Sequence, residues 1–390
     1  MSTPPYRPLH IVQVGYDDSV FATNAPSDTF QRQVEYGREI DSQQPGSRMS
    51  FVSLTSHAAA HRIVSENVTF IPIIFQRRRE IHRLFSQLVN LHQEQPIDVI
   101  ATQTIYEDGW VALLFSQRYG VPVIGQIHYD VFSDFAKYDV LGRRWGGRIR
   151  YRFGMWLIRR YAAIRVVGQR IKTQMLAKRL NDKVYVLPVA VTMANKSRSI
   201  RRPNTSAQRV LFVGRLVAQK NLETWLRVAA LVADLNPATI FEIVGDGPLR
   251  PELEQLAQQL GIAQQVCFRG ALAYDKLPEV YSSATLFLIT SHYEGFGRVV
   301  VEAYLNALPV VGVHITGLED IIEDGVTGFL HASDDLKGMA ESTLKLLRDA
   351  SVRQQMGEIG RSLVRTRFDP ENLSRRWVDL LISTARRQRV

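Results

Sequence analysis

SHYEGFGRVVVEAYLNALPVVGV, residues 291–313, places a glycine-bearing turn before a helical pattern and sets two glutamates, Glu294 and Glu302, eight positions apart. The apolar run LFLIT before it predicts a buried strand, VVVEAYLNA indicates a helix, and PVVGV indicates another strand. Gly295 and Gly297 let the backbone approach a ligand closely, and the start of a helix offers unpaired N–H groups that suit a phosphate. The stretch therefore predicts a strand–turn–helix–strand unit with an anion site at its turn.

The two carboxylates can be interpreted together. Eight residues of helix are slightly more than two turns, so Glu302 would project back toward the loop that holds Glu294. One carboxylate could then bind sugar hydroxyls and the other a ribose. A surface loop followed by an amphipathic helix explains the same pair without any ligand. The spacing of the two glutamates does not distinguish these interpretations, so evidence from the rest of the sequence is needed.

Length and composition indicate a globular protein of two domains. The 390 residues favour two domains of about 150 to 200 residues over a single core, and the 45% apolar content argues against extensive disorder. The one cysteine, Cys267, excludes an internal disulfide and fits a reducing compartment. The N-terminus lacks the apolar core of a secretion signal, and no run of about 18 apolar residues occurs, so we expect a cytoplasmic protein.

Strand and helix patterns alternate along the chain, which is typical of parallel sheets covered by helices. In the N-terminal half, strands are predicted at LHIVQVG, MSFVSL, IDVIATQ, VPVIGQ, AIRVVG and KVYVLPV. After residues 195–208, a polar and basic stretch typical of a linker, strands are predicted at RVLFVG, TIFEIVG, QVCFRG, TLFLIT and PVVGV. The predicted fold class is α/β, with two doubly wound, Rossmann-like domains and a ligand cleft at the carboxyl ends of the strands.

Two cations fall at the same edge of the second predicted sheet. VGRLVAQKN, residues 213–221, places Arg215 directly after a strand-ending glycine and Lys220 at the start of the next helix. Two unpaired cations at one sheet edge would repel each other, and a bound nucleoside diphosphate would supply the opposite charge. The alternative is that both are surface residues at a helix start.

These segments together resemble the donor-site signature of retaining glycosyltransferases of family 4, whose chains adopt the two-Rossmann architecture called GT-B. The resemblance covers roughly the C-terminal half and includes VGDGPLRPEL, residues 244–253, which is similar to the family's G-x-G-P turn. It implies an N-terminal acceptor-binding domain over residues 1–200 and a nucleotide-sugar donor domain over 201–369. It also implies that the final helix, residues 370–390, returns to the N-terminal domain.

The resemblance implies a role for each matching residue. Arg215 and Lys220 would hold the donor's diphosphate, Glu294 would bind the hydroxyls of the donor sugar, and Glu302 would bind the ribose. The further donor contacts that it implies are Gly247, Leu272, Phe296, Gly297, Arg298 and Val299, with Phe296 and Gly297 acting through backbone N–H groups.

The N-terminal half matches the family less completely. Family members often carry a Gly-Gly loop after the first strand, whereas this strand runs into a single glycine, Gly15, which is the candidate for close approach to the diphosphate. His128, just past a predicted strand, is similar to the histidine that touches the donor sugar beside the reacting carbon. A histidine with a purely structural role explains that position as well. Asp130 is a candidate base for the acceptor hydroxyl or an N-capping residue.

Positive charge is concentrated in one region of the N-terminal half. Residues 137–202 contain 18 Lys and Arg against two acidic residues, a net charge of +16, so the rest of the chain carries −6 of the total of +10. Within this region, Arg143 to Tyr161 interleave arginines with apolar residues at near-helical spacing. Such a helix could lie on an anionic membrane surface, or its apolar stripe could pack within its own domain. No nucleic-acid-binding module accompanies the charge, which argues against a nucleic-acid partner.

Three functional hypotheses follow. The leading one is a retaining hexosyltransferase that moves a sugar from a UDP- or GDP-sugar to a lipid-linked or polysaccharide acceptor at the cytoplasmic membrane face. No D-x-D motif occurs in the chain, so no obligatory metal ion or other cofactor is expected. The alternatives are a GT-B nucleotide-sugar epimerase or sugar phosphorylase, and a non-catalytic nucleotide-sugar-binding protein.

Overall fold

The computed structural model describes residues 7–21, 27–55, 63–74, 81–133, 145–191 and 208–387. The chain forms two compact units, which we call the N-terminal unit (Met1–Ala190 with Pro370–Val390) and the C-terminal unit (Val191–Asp369). The domain boundary expected at residue 200 lies within 192–207, outside the described residues.

The N-terminal unit is built on an eight-stranded sheet. Its strands are β1 (His10–Gly15), β2 (Arg48–Thr55), β3 (Ile63–Ser65), β4 (Val68–Ile74), β5 (Val99–Thr102), β6 (Val123–Ile127), β7 (Ala163–Val166) and β8 (Val184–Val186). They lie in the order β3-β4-β2-β1-β5-β6-β7-β8, and every neighbouring pair is parallel except β3 with β4. The central strand β1 is buried along its whole length, as expected of a parallel strand covered on both faces.

Helices connect these strands, and two of them have typical capping residues. The helices are α1 (Asp28–Gln43), α2 (Ile81–Glu94), α3 (Glu107–Tyr119), α4 (Trp145–Ile158) and α5 (Gln169–Ala177). Ser27 caps α1 by accepting the Phe30 N–H at 3.1 Å, and Gly120 ends α3 in the left-handed conformation.

The end of the chain completes the N-terminal unit. Helix α12 (Pro370–Arg387) packs against α1 and β5 and buries Trp377 completely. The guanidinium group of Arg165, on β7, lies 4.6 Å from the centre of the Trp377 ring. The same group donates to the carbonyl oxygens of Leu187 and Pro188, at 2.7 and 2.8 Å, where the chain leaves this unit. One buried arginine thus joins the outgoing and the returning segments of the chain.

The C-terminal unit contains a six-stranded sheet. Its strands are β9 (Arg209–Val213), β10 (Ile240–Val244), β11 (Val266–Gly270), β12 (Leu286–Ile289), β13 (Val310–Val313) and β14 (Gly328–His331), all parallel, in the order β11-β10-β9-β12-β13-β14. The helices are α6 (Leu222–Leu235), α7 (Arg250–Gln259), α8 (Leu277–Ser283), α9 (Arg298–Leu305), α10 (Leu336–Arg348) and α11 (Ala350–Arg367). This strand order is that of the Rossmann fold, and it reverses between β9 and β12.

Trp225 anchors α6 over the point where the strand order reverses. Its ring is fully buried and meets Phe212 of β9 and Phe241 of β10 edge-on, with centroids 6.4 and 6.0 Å apart. Its indole N–H donates to the carbonyl oxygen of Leu288 on β12 at 3.0 Å. One side chain therefore ties the helix to the three central strands.

The predicted α/β class with doubly wound sheets is confirmed, but several elements were missed: β3, β4, β14, α5, α8, α10 and α11. Pro72 lies inside β4, and a proline argues against a central strand because it lacks the N–H that a ladder needs. The strand tolerates it because β3 pairs only with the segment up to Phe70. Within the described residues, β4 is an edge strand beyond that point.

Among the helices of the described residues, none is both long and apolar enough to cross a membrane.

Candidate functional site

The candidate site lies at the carboxyl edge of the C-terminal sheet, where β9 and β12 end side by side. Gly214 and Arg215 follow β9, and residues 290–297 lead from β12 into α9. Because the two strands are parallel neighbours, both connections leave the sheet at the same edge. This edge is the point at which strand order reverses, where ligands of such sheets bind.

Glycines bring two connecting loops of this edge into close contact. A Cβ atom on Gly245 would lie 1.8 Å from the Gly214 carbonyl oxygen, and one on Gly247 would lie 2.5 Å from that of Leu216. The Leu216 N–H also donates to the Asp246 carbonyl oxygen at 3.0 Å. Backbone packing therefore requires glycine at Gly247, whether or not a ligand approaches it.

Lys220 and Glu294 form an ion pair at this edge. Lys220 ends a short 3₁₀ turn before α6, and its Nζ atom lies 2.6 Å from Glu294 Oε1. The Ser291 hydroxyl donates to the same oxygen at 2.6 Å. The two charged side chains are only 13% and 8% exposed. The interpretation that Arg215 and Lys220 are both unpaired is therefore wrong for Lys220. Arg215 is exposed and has no ion pair within the part of the chain that the structure describes.

The turn before α9 depends on glycine and a buried aromatic ring. Gly297, the N-cap of α9, has φ 64° and ψ 42°, and a Cβ atom there would lie 2.8 Å from Leu318. Phe296 is buried and meets Phe368 edge-on at 5.1 Å. Its side chain belongs to the core, so the backbone contact with a donor that was predicted for Phe296 stays a prediction. Arg298 and Val299 start the helix and are half-buried.

Glu302 lies one turn into α9 and is almost completely buried. Its Oε2 atom accepts the Tyr281 hydroxyl at 2.9 Å, and its Oε1 atom accepts the Arg298 Nε–H at 3.0 Å. Tyr274, from the connection between β11 and α8, places its hydroxyl 3.4 Å from Oε1, and its ring lies 4.9 Å below the Arg298 guanidinium group. Leu272 lies two residues before Tyr274 on the same connection and is half-buried.

Gly15 and His128 lie at the carboxyl edge of the N-terminal sheet. A Cβ atom on Gly15 would overlap the side chain of Gln103, whose Oε1 accepts the Tyr16 N–H at 3.1 Å. His128 directly follows β6 and is half-buried. Burial, followed by the charges of Arg165 and Arg32, lowers the pKa of His128 to about 3, so its imidazole is neutral at neutral pH.

Asp130 is buried, and its Oδ1 atom accepts the Phe132 N–H at 2.9 Å within a turn. Its roles as a base or as an N-capping residue stay predictions.

The structure adds three residues to the site that sequence patterns did not single out. Ser291 orients Glu294, and Tyr274 and Tyr281 surround Glu302. Tyr274 and Tyr281 come from the α8 region, which was not predicted. Only the strand order brings that region beside α9. In the described residues, no group of three or more His, Cys, Asp or Glu side chains could hold a metal ion.

Two family models match consecutive parts of the chain. Residues 26–190 match the model described as a glycosyl transferase 4-like domain, and residues 194–363 match the model described as glycosyl transferases group 1. The chain belongs to the GT-B glycosyltransferases. The second model spans the part of this GT-B glycosyltransferase that contains Lys220, Glu294 and Glu302.

Known proteins similar to this GT-B glycosyltransferase include enzymes of several kinds. It is 28% identical over 262 residues to the alpha-D-kanosaminyltransferase of Streptomyces kanamyceticus, covering 63% of this chain and 66% of that protein, just under two thirds of its length. Sucrose-phosphate synthase from Thermosynechococcus elongatus has a similar fold, with a TM-score of 0.78 at 18% identity over 96% of this chain and 98% of that one. Anabaena HepE, solved in complex with UDP-glucose, gives a TM-score of 0.70 at 18% identity over 96% of this chain and 100% of that one.

Proposed function

We propose that this GT-B glycosyltransferase transfers a hexosyl group from a nucleoside-diphospho-sugar to an acceptor hydroxyl, with retention of the anomeric configuration. The observation that carries the proposal is the Lys220–Glu294 pair beside the start of α9, at the strand-order reversal of a Rossmann sheet. It combines a cation for a diphosphate, a carboxylate for hydroxyls and helix N–H groups for a phosphate. The complex of HepE with UDP-glucose supports a UDP-sugar as the donor.

Electrostatic stabilisation of the leaving group would supply most of the catalysis. The bond from the anomeric carbon to the diphosphate breaks, and the acceptor oxygen forms a new bond on the same face. The acceptor's proton passes to the departing diphosphate. Lys220 and Arg215 would stabilise the negative charge that grows on this leaving group. Glu294 Oε2, which has no partner among the described residues, would accept a hydroxyl of the donor sugar.

The two glutamates are not proposed as a glycosidase-like pair. Glu294 is engaged by a lysine and a serine, and Glu302 is enclosed by Tyr281 and Arg298. A glycosidase needs both carboxyl groups to flank the scissile bond, one as a proton donor. Holding the bound donor is the role that the contacts of Glu294 and Glu302 support.

His128 and Gly15 are proposed as the contribution of the N-terminal unit. A neutral imidazole at the end of β6 can exchange hydrogen bonds with a sugar hydroxyl without adding a charge beside the reacting carbon. The low pKa of His128 supports this role. Gly15, at the end of β1, would allow the backbone to approach the diphosphate.

We propose that catalysis needs no metal ion, because Lys220, Arg215 and the start of α9 provide the positive charge that a divalent ion would otherwise supply. Full activity in excess EDTA is the expected result. Activity lost in EDTA and restored by Mg²⁺ or Mn²⁺ would contradict it.

A panel of UDP-, GDP- and ADP-sugars tests the donor site directly. A specific donor raises the unfolding free energy by RT ln(1 + [L]/Kd), about 2.7 kcal/mol at a hundredfold excess over Kd. We expect one donor to stand apart in thermal unfolding. The absence of stabilisation by every nucleotide sugar would overturn the proposal.

Activity assays with the donor that this screen selects distinguish glycosyl transfer from the alternative reactions. Product that forms only when a hydroxyl acceptor is present supports transfer, and the anomeric configuration of that product, read by NMR, tests retention. An epimerase would alter the donor without an acceptor, and a phosphorylase would require inorganic phosphate. Binding without any turnover would support the non-catalytic hypothesis.

The surface of α4 supports an acceptor at an anionic membrane. Ile149 and Trp156 are 67% and 43% exposed, and the Arg160 guanidinium group lies 3.4 Å from the centre of the Trp156 ring. Arg148 and Arg152 are exposed on the same helix, and Arg159 and Arg160 are exposed in the turn directly after it. Residues 143 and 144 of the predicted basic helix lie outside the described residues. Exposed apolar side chains among arginines are typical of helices that lie in the headgroup region, and we propose that a lipid-linked or polysaccharide acceptor is met there, on the cytoplasmic side.

Vesicle sedimentation tests this surface. The protein should sediment with vesicles that contain phosphatidylglycerol. It should stay in the supernatant when the vesicles contain only phosphatidylcholine. The double change Ile149→Ser with Trp156→Ala should reduce binding at least tenfold. The control is Leu235→Ser, because Leu235 is 64% exposed on α6 in the other unit. Equal binding of the two vesicle types, or equal loss in the control, would exclude this surface.

A further inference from the structure

A surface cavity of about 530 Å³ lies where α5, β8 and α12 meet in the N-terminal unit. This volume is within the range of roughly 300–1,000 Å³ that is typical of small-molecule sites. None of the residues that line the cavity belongs to the candidate donor site or to the exposed surface of α4. The cavity is therefore separate from the sites proposed above.

Two basic side chains lie at the same end of this cavity. Lys172 is near the start of α5, which begins shortly after β7, and Arg376 of α12 donates to the carbonyl oxygen of Val186 at 3.3 Å. Val186 ends β8, the parallel neighbour of β7, so both basic side chains lie at the carboxyl end of these strands. Neither has an ion pair with any residue that the structure describes. Two such cations favour an anion, and arginine is well suited to phosphate.

The next part of the cavity is polar and contains a carboxylate. Asp379, one turn after Arg376, accepts the Gln43 side-chain amide through Oδ1 at 2.9 Å, and its Oδ2 has no hydrogen bond to a described residue. Ser383 and Tyr185 add hydroxyl groups to the lining. A carboxylate repels a second phosphate group and accepts hydrogen bonds from hydroxyls. The rest of a ligand that fills this cavity should therefore be neutral and carry hydroxyl groups.

We propose that this cavity binds a phosphorylated sugar, with its phosphate at Lys172 and Arg376 and its hydroxyl groups at Asp379. The three residues from Arg376 to Asp379 correspond to a rise of about 4.5 Å along α12, so a single sugar ring can reach both side chains. A phosphate ester with hydroxyl groups also occurs in the glycerophosphate headgroup of a lipid. The soluble sugar is favoured because no exposed apolar side chain lines the cavity.

Calorimetry on the full chain compares glucose 6-phosphate, glucose and inorganic phosphate. A hydrogen bond to a charged group is worth about tenfold or more in affinity. Glucose 6-phosphate should therefore bind at least tenfold more tightly than either glucose or inorganic phosphate. Arg376→Met and Lys172→Met should each weaken its binding about tenfold. The matched control is Arg375→Met, because Arg375 is the neighbouring residue on α12 but lies outside the lining and approaches Glu39 at 3.6 Å.

Asp379→Ala distinguishes a sugar phosphate from a bare anion. The change removes a negative charge, so inorganic phosphate should bind at least as tightly as it binds the wild type. The preference for glucose 6-phosphate should largely disappear, because its hydroxyls lose their acceptor. An unchanged preference in this variant would contradict the assignment of the sugar to Asp379.

Three further results would overturn the proposal. The first is equal binding of glucose 6-phosphate and inorganic phosphate to the wild type, or equal loss in Arg376→Met and Arg375→Met. The second is tighter binding of glycerophosphoglycerol, the headgroup of phosphatidylglycerol, which would indicate a lipid ligand. The third is binding that is lost in Lys220→Met and kept in Arg376→Met, which would place the ligand in the donor site. None of these measurements depends on nucleotide binding or on glycosyl transfer, so failure of the proposed function is distinguished from failure of this proposal.

Discussion

Lys220 and Glu294 are separated by 74 positions in the sequence and by 2.6 Å in the fold. Both side chains are largely removed from water, so desolvation offsets much of their attraction, and such a pair contributes little net stability. On the proposed function, a donor would exchange these partners. Its diphosphate would take Lys220, its sugar hydroxyls would take Glu294, and Ser291 would keep the carboxylate in place.

Lys220→Met should impair catalysis in protein that is still folded. Removing one preorganised charge from a leaving-group site raises the barrier by about 3–4 kcal/mol, a loss of about 10²–10³ in kcat. The free energy of unfolding should also fall, by up to about 3–5 kcal/mol, because Glu294 is left buried without its cation, so kcat is measured below the unfolding transition of the variant. Steady-state kinetics and urea unfolding measure the two effects.

Two control variants test whether the loss of kcat is specific to Lys220. Lys345→Met removes an exposed lysine of the same unit and should leave kcat unchanged. Ser291→Ala removes the uncharged partner of Glu294 and should have a smaller effect on kcat than Lys220→Met. Normal turnover in Lys220→Met would rule out its role in leaving-group stabilisation.

His128 should make the folded state sensitive to acid. Its pKa is lowered from 6.5 to about 3 in the fold, so the unfolded chain binds one more proton between these values. The contribution of His128 to stability is then fully present above pH 6.5 and is lost as pH falls toward 3, by up to about 1.4 kcal/mol per pH unit. Chemical unfolding of the wild type and His128→Asn between pH 7 and about 4 measures this slope.

Asp108 also contributes to the pH dependence of stability, so the effect of His128 has to be measured as a difference between wild type and variant. Burial raises the pKa of Asp108 to about 7, so the folded state binds the extra proton and the contribution has the opposite sign. Only the difference in slope between wild type and His128→Asn isolates the histidine. Identical slopes in the two proteins would show that His128 ionises normally in the fold.

At the scale of elements, α9 depends on the glycines of the neighbouring helix α11. A Cβ atom on Gly357 would lie 2.0 Å from the carbonyl oxygen of Ala307, and one on Gly360 would lie 2.5 Å from the ring of Tyr304. The two glycines let α11 approach α9 closely. The helix that carries Glu302 is thus positioned from behind by another helix.

Gly357→Ala should destabilise the protein, although alanine in a helix interior ordinarily stabilises by about 0.5–1 kcal/mol relative to glycine. The added methyl group would collide with a backbone atom that cannot rotate away, so we expect a loss of about 1–3 kcal/mol. Gly146→Ala is the matched control. Gly146 lies in α4 with open space around its Cα, and alanine there should be neutral or stabilising. Equal stability of the two variants would contradict the close packing of α9 and α11.

The elements of the C-terminal unit show which parts of the fold could be predicted from the sequence. Strands β9, β10 and β12 were predicted because each is an apolar run closed by a turn residue. Helix α11 was missed because Gly357 and Gly360 interrupt its helical pattern, and their reason lies in contacts with α9 that are remote in sequence. The ion pair of Lys220 and the tyrosines around Glu302 were missed for the same reason. Residue types and spacing predict elements, whereas the partners of a side chain depend on strand order.

At the scale of the whole molecule, each unit has a core with its own buried tryptophan. Trp377 lies in the N-terminal unit although its helix follows the entire C-terminal unit in the chain, and Trp225 lies in the C-terminal unit. Both rings are fully buried. If the units are separate folding domains, damage to one core should leave the ligand site of the other intact.

Trp377→Ala and Trp225→Ala should therefore have opposite consequences for nucleotide binding. Truncation of a buried tryptophan costs about 3–5 kcal/mol, so each variant should lower the unfolding transition of its own unit. Below that transition, Trp377→Ala should keep most of its affinity for the selected nucleoside diphosphate, since Lys220, Glu294 and Glu302 lie in the other unit and only the proposed backbone contact at Gly15 belongs to the unit of Trp377. Trp225→Ala should lose binding, because its ring packs on Phe212 of β9 and its indole N–H bonds to β12, the strands that end at the donor site. A single unfolding transition lowered equally by both changes, or loss of binding in Trp377→Ala while it remains folded, would show that the two units fold and act as one.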